Sequence, residues 1–168
     1  MSSIKISLEL EKMYKGSLMR EIINNAVKDA MRSKDKLRVS TLRLVNAAIK
    51  DKDIALRTED RPEGVSSSEI LQILGKMVKQ RQESAKAYEE GGRLELAQQE
   101  LSEIKIIEEY LPRQLSDEEV DKAINEAIRS VSASSIRDMG KVMGFLKERY
   151  NGQLDFGKAG AIIKKILG

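Results

Sequence analysis

The chain has 168 residues, of which 40% are hydrophobic, 4% aromatic and 34% charged, and its formal net charge is +3. It contains no cysteine and no histidine, which excludes disulfides, thiolate zinc sites and the commonest general base. No run approaches the roughly 20 apolar residues of a membrane span, and the N-terminus lacks the pattern of a secretory signal. We therefore expect a cytoplasmic protein without membrane association.

Four apolar residues alternate with polar ones near the start of the chain: Ile4, Ile6, Leu8 and Leu10. Alternation is the period of a strand, yet the rest of the chain has helical spacing and offers no partner strand. We expect residues 1–17 to form a disordered extension, or a segment that orders against another protomer. Met19 stays open as an alternative start.

Helical spacing begins at Leu18, and two helices follow before the loop at Pro62-Glu63-Gly64. The first has one wide apolar face: Leu18, Met19, Ile22, Ile23, Ala26, Val27, Ala30 and Met31. The second starts after residues 33–35 and ends near Leu56, with Leu44 assigned to its apolar side.

A third helix is predicted to start at Ser66 and Glu69, whose spacing is that of a capping box. Gly91-Gly92 ends it, because glycine adopts positive φ at little cost. The fourth helix has an apolar face that runs to the residue before Pro112: Leu94, Ala97, Leu101, Ile104, Ile107 and Leu111.

Three shorter helices are predicted after Pro112. Ser116 and Glu119 have capping-box spacing, Ser135 to Asp138 resembles another cap, and Asp155 caps the last helix. The sequence thus predicts an all-α protein with an N-terminal bundle of about four long helices in residues 18–112. A small three-helix domain occupies residues 113–168.

The clusters of serine and carboxylate residues that could act in catalysis are better explained by structural roles. Serine clusters at residues 66–68 and 130–135 lie where helices start, so capping is the favoured interpretation. Adjacent carboxylates such as Glu108 and Glu109 point in different directions on a helix. Neither nucleotide-binding glycine motif is present. We predict no catalytic residue, no cofactor and no metal site.

Four cations of the second helix are spaced seven residues apart: Lys36, Arg43, Lys50 and Arg57. Seven residues are nearly two turns, so the charges drift by only about 20° per step. Such a stripe can follow a phosphate backbone. The alternative is a solvated helix face whose charge complements that of the acidic fourth helix. This alternative is favoured, because charged solvent-exposed faces are the norm for helices.

The last domain is basic, with eight Lys/Arg and three Asp/Glu from Arg129 to Gly168. Within it, Gly140 and Gly144 lie four residues apart on one helix. A glycine in a helix interior lowers helix stability by nearly 1 kcal/mol relative to alanine. Two glycines on one helix therefore suggest that they have a structural or functional role. Close helix–helix approach is the interpretation we favour, and a backbone surface open to a ligand is the other.

Three segments resemble the YqeY-like proteins. Glu109 to Glu119 resembles their YLP-x-QLS-x-EE junction, Asp138 to Gly144 their DMGKVMG signature, and Lys34 to Arg43 their KDK-x-R-x-STLR segment. The resemblance runs from about Met19 to Leu167.

This resemblance implies an all-helical N-terminal domain followed by a tail domain. The tail is similar to that of the B subunit of the tRNA-dependent aspartyl/glutamyl amidotransferase, where it helps to hold the tRNA. Proteins of this kind carry the label of a carbon–nitrogen ligase with glutamine as amido-N-donor. The glutaminase and kinase centres of the amidotransferase lie outside the shared tail, and we find neither in this sequence.

The leading hypothesis is a non-catalytic module that binds tRNA. Two sets of cations would contact phosphates, one on the second helix and one in the tail: Lys36, Arg43 and Lys50, with Lys141, Lys147, Lys158 and Lys164. One alternative is a helical protein–protein adaptor. Another is an accessory subunit in tRNA amidation, with the amidotransferase as partner. The oligomeric state is left open.

Overall fold

The computed structural model describes residues 18–168, so the expectation for residues 1–17 lies outside the described part. Seven α-helices and one short 3₁₀ helix occupy it: α1 (Leu18–Arg32), α2 (Lys36–Arg57), α3 (Ser67–Glu90), α4 (Leu94–Glu108), α5 (Asp117–Ser130), the 3₁₀ helix (Ile136–Asp138), α6 (Met139–Tyr150) and α7 (Phe156–Leu167). No strand occurs there, and the all-α prediction is confirmed. None of these helices combines the length and apolar character needed to cross a bilayer.

The chain divides into two compact units between Leu111 and Pro112. The predicted boundary fell one residue later, after Pro112. Each unit encloses its own apolar cluster.

The predicted helix caps are confirmed at three helix starts. Ser66 Oγ accepts from the Glu69 N–H at 3.2 Å, while Glu69 Oε2 accepts from the Ser66 N–H at 2.7 Å. Ser116 and Glu119 form the same reciprocal pair at the start of α5. Asp155 Oδ1 accepts from the Gly157 N–H at 2.9 Å before α7. The amide groups that open these helices are therefore satisfied by side chains.

The apolar cluster of the N-terminal unit joins α1, α2, the first half of α3 and the second half of α4. On α3 it reaches from Ile70 to Val78, and on α4 it begins only at Ile104. Residues 79–103 contribute nothing to it. We call these residues, which comprise the end of α3, the turn and most of α4, the arm.

The arm is a helical hairpin whose two helices pack on each other. Ala85 on α3 and Ala97 on α4 are buried, and such small side chains let helices approach closely. Gly92 turns the chain with φ +73°. At the base of the arm, Arg81 Nε donates to Glu103 Oε2 at 2.9 Å, and the two side chains are only 14% and 11% exposed.

A second ion pair fixes the other end of the N-terminal unit. Arg20 Nη1 and Nη2 donate to the two carboxylate oxygens of Asp53 at 2.7 and 3.0 Å. The Val65 N–H donates to Asp53 Oδ1 at 2.8 Å. A Cβ on Gly64, which has φ +79°, would collide with that carboxylate. One carboxylate therefore connects α1, α2 and the loop before α3.

A third ion pair joins the start of α2 to the end of α4. Arg38 Nη1 and Nη2 donate to the carboxylate of Glu109 at 2.6 and 2.8 Å. The Asp35 side chain caps α2 by accepting from the Arg38 N–H at 3.0 Å.

The C-terminal unit is a three-helix cluster of α5, α6 and α7. Its core consists of aliphatic side chains: Val120, Ala123, Ile124, Ala127, Val142, Leu146, Leu154, Ala159 and Ile163. Gln114 Nε2 donates to the Gly152 carbonyl at 2.6 Å, and the Leu115 N–H donates to the Gln153 carbonyl at 2.9 Å. These bonds fix the residues before α5 to the turn between α6 and α7.

Four apolar residues that the sequence assigned to buried faces are exposed, so these assignments were wrong. Met31 and Leu44 are 52% and 49% exposed, and Leu94 and Leu101 are 67% and 36% exposed. Leu94 and Leu101 belong to the arm, where α4 packs mainly against one helix. Met31 lies at the end of α1 and Leu44 in the first half of α2, on a side that no helix among residues 18–111 covers.

Replacing Glu103 by alanine would leave the mostly buried Arg81 guanidinium without its carboxylate. We expect Glu103→Ala to lower the free energy of unfolding by about 2–3 kcal/mol, because a charged hydrogen bond is lost and a charge stays behind. Urea unfolding followed by circular dichroism measures the change. Glu108→Ala removes an exposed glutamate of the same helix and should change it by less than about 0.5 kcal/mol. Equal effects would contradict the structural role of the pair.

The Asp53 contacts make stability depend on pH. The hydrogen bond from Arg20, followed by that from the Val65 amide, lowers the pKa of Asp53. Such a carboxylate stabilises the folded state fully above its unfolded pKa of about 3.9 and loses this contribution as the pH falls through the folded pKa. We expect the unfolding free energy to fall less in Asp53→Asn than in the parent between about pH 5 and pH 2. Urea titrations across that range test this, and an identical decline would contradict it.

Candidate nucleic-acid interface

The four cations of α2 form a basic stripe on its outward face. Lys36, Arg43, Lys50 and Arg57 are all exposed. The buried residues Val45 and Ile49 lie on the opposite side of the helix. With a rise of 1.5 Å per residue, the stripe extends over about 30 Å.

The stripe is not neutralised by the acidic fourth helix. Among residues 18–168, none of the ion pairs includes Lys36, Arg43 or Lys50. Two carboxylates in or next to the fourth helix pair with other cations, since Glu103 pairs with Arg81 and Glu109 with Arg38. The alternative that the stripe answers the fourth helix therefore has no ion pair to support it in the described part.

A shallow groove of about 810 Å³ opens beside the start of the stripe. Seven residues line it: Met31, Lys34, Lys36, Val39, Ser40, Arg43 and Leu44. Arg43 Nη2 lies 3.9 Å from Met31 Sδ across it. We call it the corner groove. The sequence alone does not indicate this groove, because the helical spacing of Met31 and Leu44 assigns both residues to the core. Their position in the chain near Lys34, Lys36 and Arg43 is the one signal of it.

Gly140 and Gly144 lie on the exposed side of α6, so the favoured interpretation of close helix packing was wrong. A Cβ added at either glycine would meet nothing within 4 Å. By helix geometry, Lys141 and Lys147 lie about 60° to either side of Gly144. We call this surface the glycine track, namely Gly140 and Gly144 flanked by the two lysines.

Close helix approach in this unit occurs at a different glycine. Gly160 on α7 is buried, and a Cβ there would come within 3.3 Å of Met139 Cε on α6. Since Gly160 already supplies the small residue at the α6–α7 contact, packing does not require the two glycines of α6.

The lysines of the glycine track are accessible. Lys147 Nζ lies 6.0 Å from the centre of the Phe156 ring, which is within cation–π distance and orients the side chain without neutralising it. Lys141 is exposed and contributes to lowering the pKa of Asp138, a carboxylate held mainly by the Ser134 and Ser135 backbone N–H groups. The exposed Glu148 lies on the same side of α6, about 40° around the helix from Gly144.

Lys158 and Lys164 do not share one face of α7. Six residues separate them, which places them about 120° apart around the helix. Lys158 Nζ forms an ion pair with Asp117 at 2.8 Å, and that hydrogen bond raises the pKa of Lys158. Lys165 lies within about 20° of Lys158 around the helix. It is not among the predicted site residues, although its spacing of seven residues from Lys158 indicates a shared face.

Both surfaces can provide phosphate contacts through cations. Across residues 18–168, no group of three or more acidic side chains is placed to hold a metal ion. Five of the seven predicted cations lie on these two surfaces, which belong to separate units: Lys36, Arg43 and Lys50 on the stripe, and Lys141 and Lys147 on the glycine track. Lys158 and Lys164 lie on α7, outside both surfaces.

Comparison with known proteins agrees with the motifs. The family described as Yqey-like protein matches residues 20–167. A Clavispora lusitaniae protein named "Altered inheritance of mitochondria protein 41, mitochondrial" is 29% identical over 147 residues, covering 84% of this chain and 80% of that protein. The Kluyveromyces lactis protein of the same name is 34% identical over 111 residues, or 64% of this chain.

The match spans 57% of the length of the Kluyveromyces relative. The names of both relatives describe them as mitochondrial proteins. The cytoplasmic location expected from the sequence is therefore not confirmed and stays a prediction.

The open space over Gly144 has a consequence for stability. We expect Gly144→Ala to raise the free energy of unfolding by about 0.5–1 kcal/mol, because alanine restricts the unfolded chain and its Cβ meets no neighbour. Gly160→Ala is the matched control, and its gain should be smaller because the new Cβ presses on Met139. Urea unfolding of both variants measures the difference. A lower stability of Gly144→Ala would show that this surface is covered.

Proposed function

Because the chain belongs to the Yqey-like protein family, we propose that it is a non-catalytic RNA-binding module with tRNA as its ligand. The observation that carries the proposal is the glycine track of α6. The choice of tRNA among RNAs rests on the resemblance of residues 113–168 to the amidotransferase tail.

The glycines of the track lower the stability of α6, and no packing contact compensates for this loss. A glycine inside a helix costs nearly 1 kcal/mol relative to alanine, and Gly144 touches nothing that needs the space. A helix surface without Cβ atoms lets a sugar–phosphate backbone reach van der Waals contact with the helix. The shallow minor groove of an RNA helix, which presents 2′-hydroxyl groups, suits such a surface.

Lys141 and Lys147 supply the charge on either side of that contact. Their ammonium groups would contact phosphates on the two sides of the track, and released counterions would drive binding. Lys164 and Lys165 add exposed charge on α7. Lys158 contributes least, because a phosphate would have to displace Asp117 from its ammonium group.

The basic stripe of α2 supplies a second set of phosphate contacts. Successive cations along it are about 10.5 Å apart, since each step is seven residues of 1.5 Å. Lys36, Arg43 and Lys50 carry no ion pair in the described part, so binding a phosphate there breaks no ion pair. Arg43 would give up at most its 3.9 Å contact with Met31 Sδ. Binding to the stripe would not depend on the nucleotide sequence, because contacts from lysine and arginine to phosphate position a nucleic acid without reading its bases.

A protein–protein adaptor remains the second candidate function, and the arm favours it. Leu94, Leu96 and Leu101 are all exposed on α4, and exposed apolar side chains of this size mark interaction surfaces when they cluster. An accessory role in amidation is a special case of the same idea, with the amidotransferase as the protein partner.

Binding to tRNA should weaken steeply with salt. We expect fluorescence anisotropy with labelled total tRNA to show tight binding at about 50 mM KCl and a large loss of affinity at about 200 mM, because phosphate contacts release counterions. The double variant Lys141→Ala/Lys147→Ala should reduce the slope of log affinity against log salt by about two. Gly144→Gln should weaken binding although it favours the helix.

The matched control removes two exposed lysines elsewhere, Lys105 on α4 and Lys122 on α5. Lys105→Ala/Lys122→Ala has the same net charge as the double variant but should bind like the parent. No binding at the lower salt concentration, or equal affinity at both, would overturn the proposal. Recovery of the native chain with a protein partner and no RNA would favour the adaptor.

A further inference from the structure

The tip of the arm combines exposed leucines with unpaired carboxylates. Leu94 is the most exposed large apolar side chain in the described part, at 67%, and Leu96 is 40% exposed. Glu89, Glu90 and Glu95 flank them together with the exposed Arg93, and none of the three glutamates forms an ion pair among residues 18–168. The three carboxylates outnumber the one guanidinium, so the tip is an acidic, apolar projection that no helix of the described part covers.

The corner groove has the complementary chemistry. Its apolar lining comes from Met31, Val39 and Leu44, and Lys34, Lys36 and Arg43 surround it. No carboxylate lines it. The neighbouring Asp35 is already engaged, because it caps α2 and lies 3.6 Å from Arg38 Nε.

The tip cannot reach the corner groove of its own chain. The Arg38–Glu109 ion pair places the C-terminal end of α4 beside the start of α2, next to the groove. Leu94 starts α4, which continues to Glu108. At 1.5 Å per residue the tip lies about 21 Å further along a rigid helix. Any tip that occupies the groove must therefore come from another molecule.

We propose that the acidic leucine tip of one copy docks in the basic corner groove of a second copy. Leu94 covers Met31 and Leu44, while the tip glutamates approach Lys34, Lys36 and Arg43. The two surfaces are different parts of the same unit, about 21 Å apart along α4, so the contact is head-to-tail rather than between two identical patches. The contact is small, which makes association transient and dependent on concentration. This inference goes beyond the proposed RNA binding and does not rest on it.

Two single-surface variants separate this interface from other modes of association. Leu94→Ser removes the tip, and Arg43→Glu reverses the charge of the groove. Each variant alone should be monomeric in sedimentation velocity at low salt, at concentrations where the parent associates. An equimolar mixture should form a 1:1 dimer and nothing larger, because one intact tip and one intact groove remain. Circular dichroism confirms that both variants fold.

Matched controls come from the same helices. Leu101→Ser removes another exposed leucine of α4, and Lys50→Glu reverses another cation of the stripe outside the groove lining. Both should associate like the parent, whereas Lys50→Glu should weaken tRNA binding if the stripe contacts phosphates. Failure of one proposal is thus distinguishable from failure of the other.

Three results would overturn the docking proposal. The first is a parent chain that stays monomeric up to about 1 mM at low salt, where surface charges are least screened. The groove would then bind a different acidic partner. Another is unchanged association of Leu94→Ser or Arg43→Glu. The third is a variant mixture that stays monomeric although the parent associates, which would point to a two-fold symmetric contact.

Discussion

The apolar cluster of the N-terminal unit ends halfway along the helices that form it, and the features of this unit depend on that limit. α3 has 24 residues, yet it leaves the cluster at Val78. Beyond that point α3 and α4 pack mainly on each other through small side chains. The Arg81–Glu103 pair lies at the boundary, where partial burial makes an unpaired charge costly. The exposed leucines follow from the same limit.

Arginine and lysine have different roles in the N-terminal unit. Residues 18–111 contain 17 Lys/Arg and 17 Asp/Glu. Four arginines each donate from two guanidinium nitrogens and so join separate segments through a carboxylate: Arg20, Arg38, Arg61 and Arg81. The planar guanidinium suits such paired contacts. Each such pair uses one cation and one carboxylate, so the remaining charges are still equal in number. They lie in different places, because Lys36, Arg43 and Lys50 share one face of α2 whereas Glu89, Glu90 and Glu95 lie at the tip of the arm.

Glycine likewise has two roles in the C-terminal unit. Gly160 allows α7 to approach Met139, whereas Gly144 faces open space. The residue type and the helical context are the same, and only the neighbouring element differs. Packing explains the first glycine. The second has a cost in helix stability without a packing gain, which is why the RNA-binding proposal rests on it.

The sequence by itself determined the seven helices and the caps at Ser66, Ser116 and Asp155, because hydrophobic period and capping chemistry are local. It also determined that the α2 cations share one face. Only the tertiary structure decided which apolar faces find a partner, since that depends on where neighbouring helices end. Met31 and Leu94 look like core residues in sequence and are exposed for this reason. The pairing of Arg81 with Glu103, and the open space over Gly144, likewise depend on residues distant in the chain.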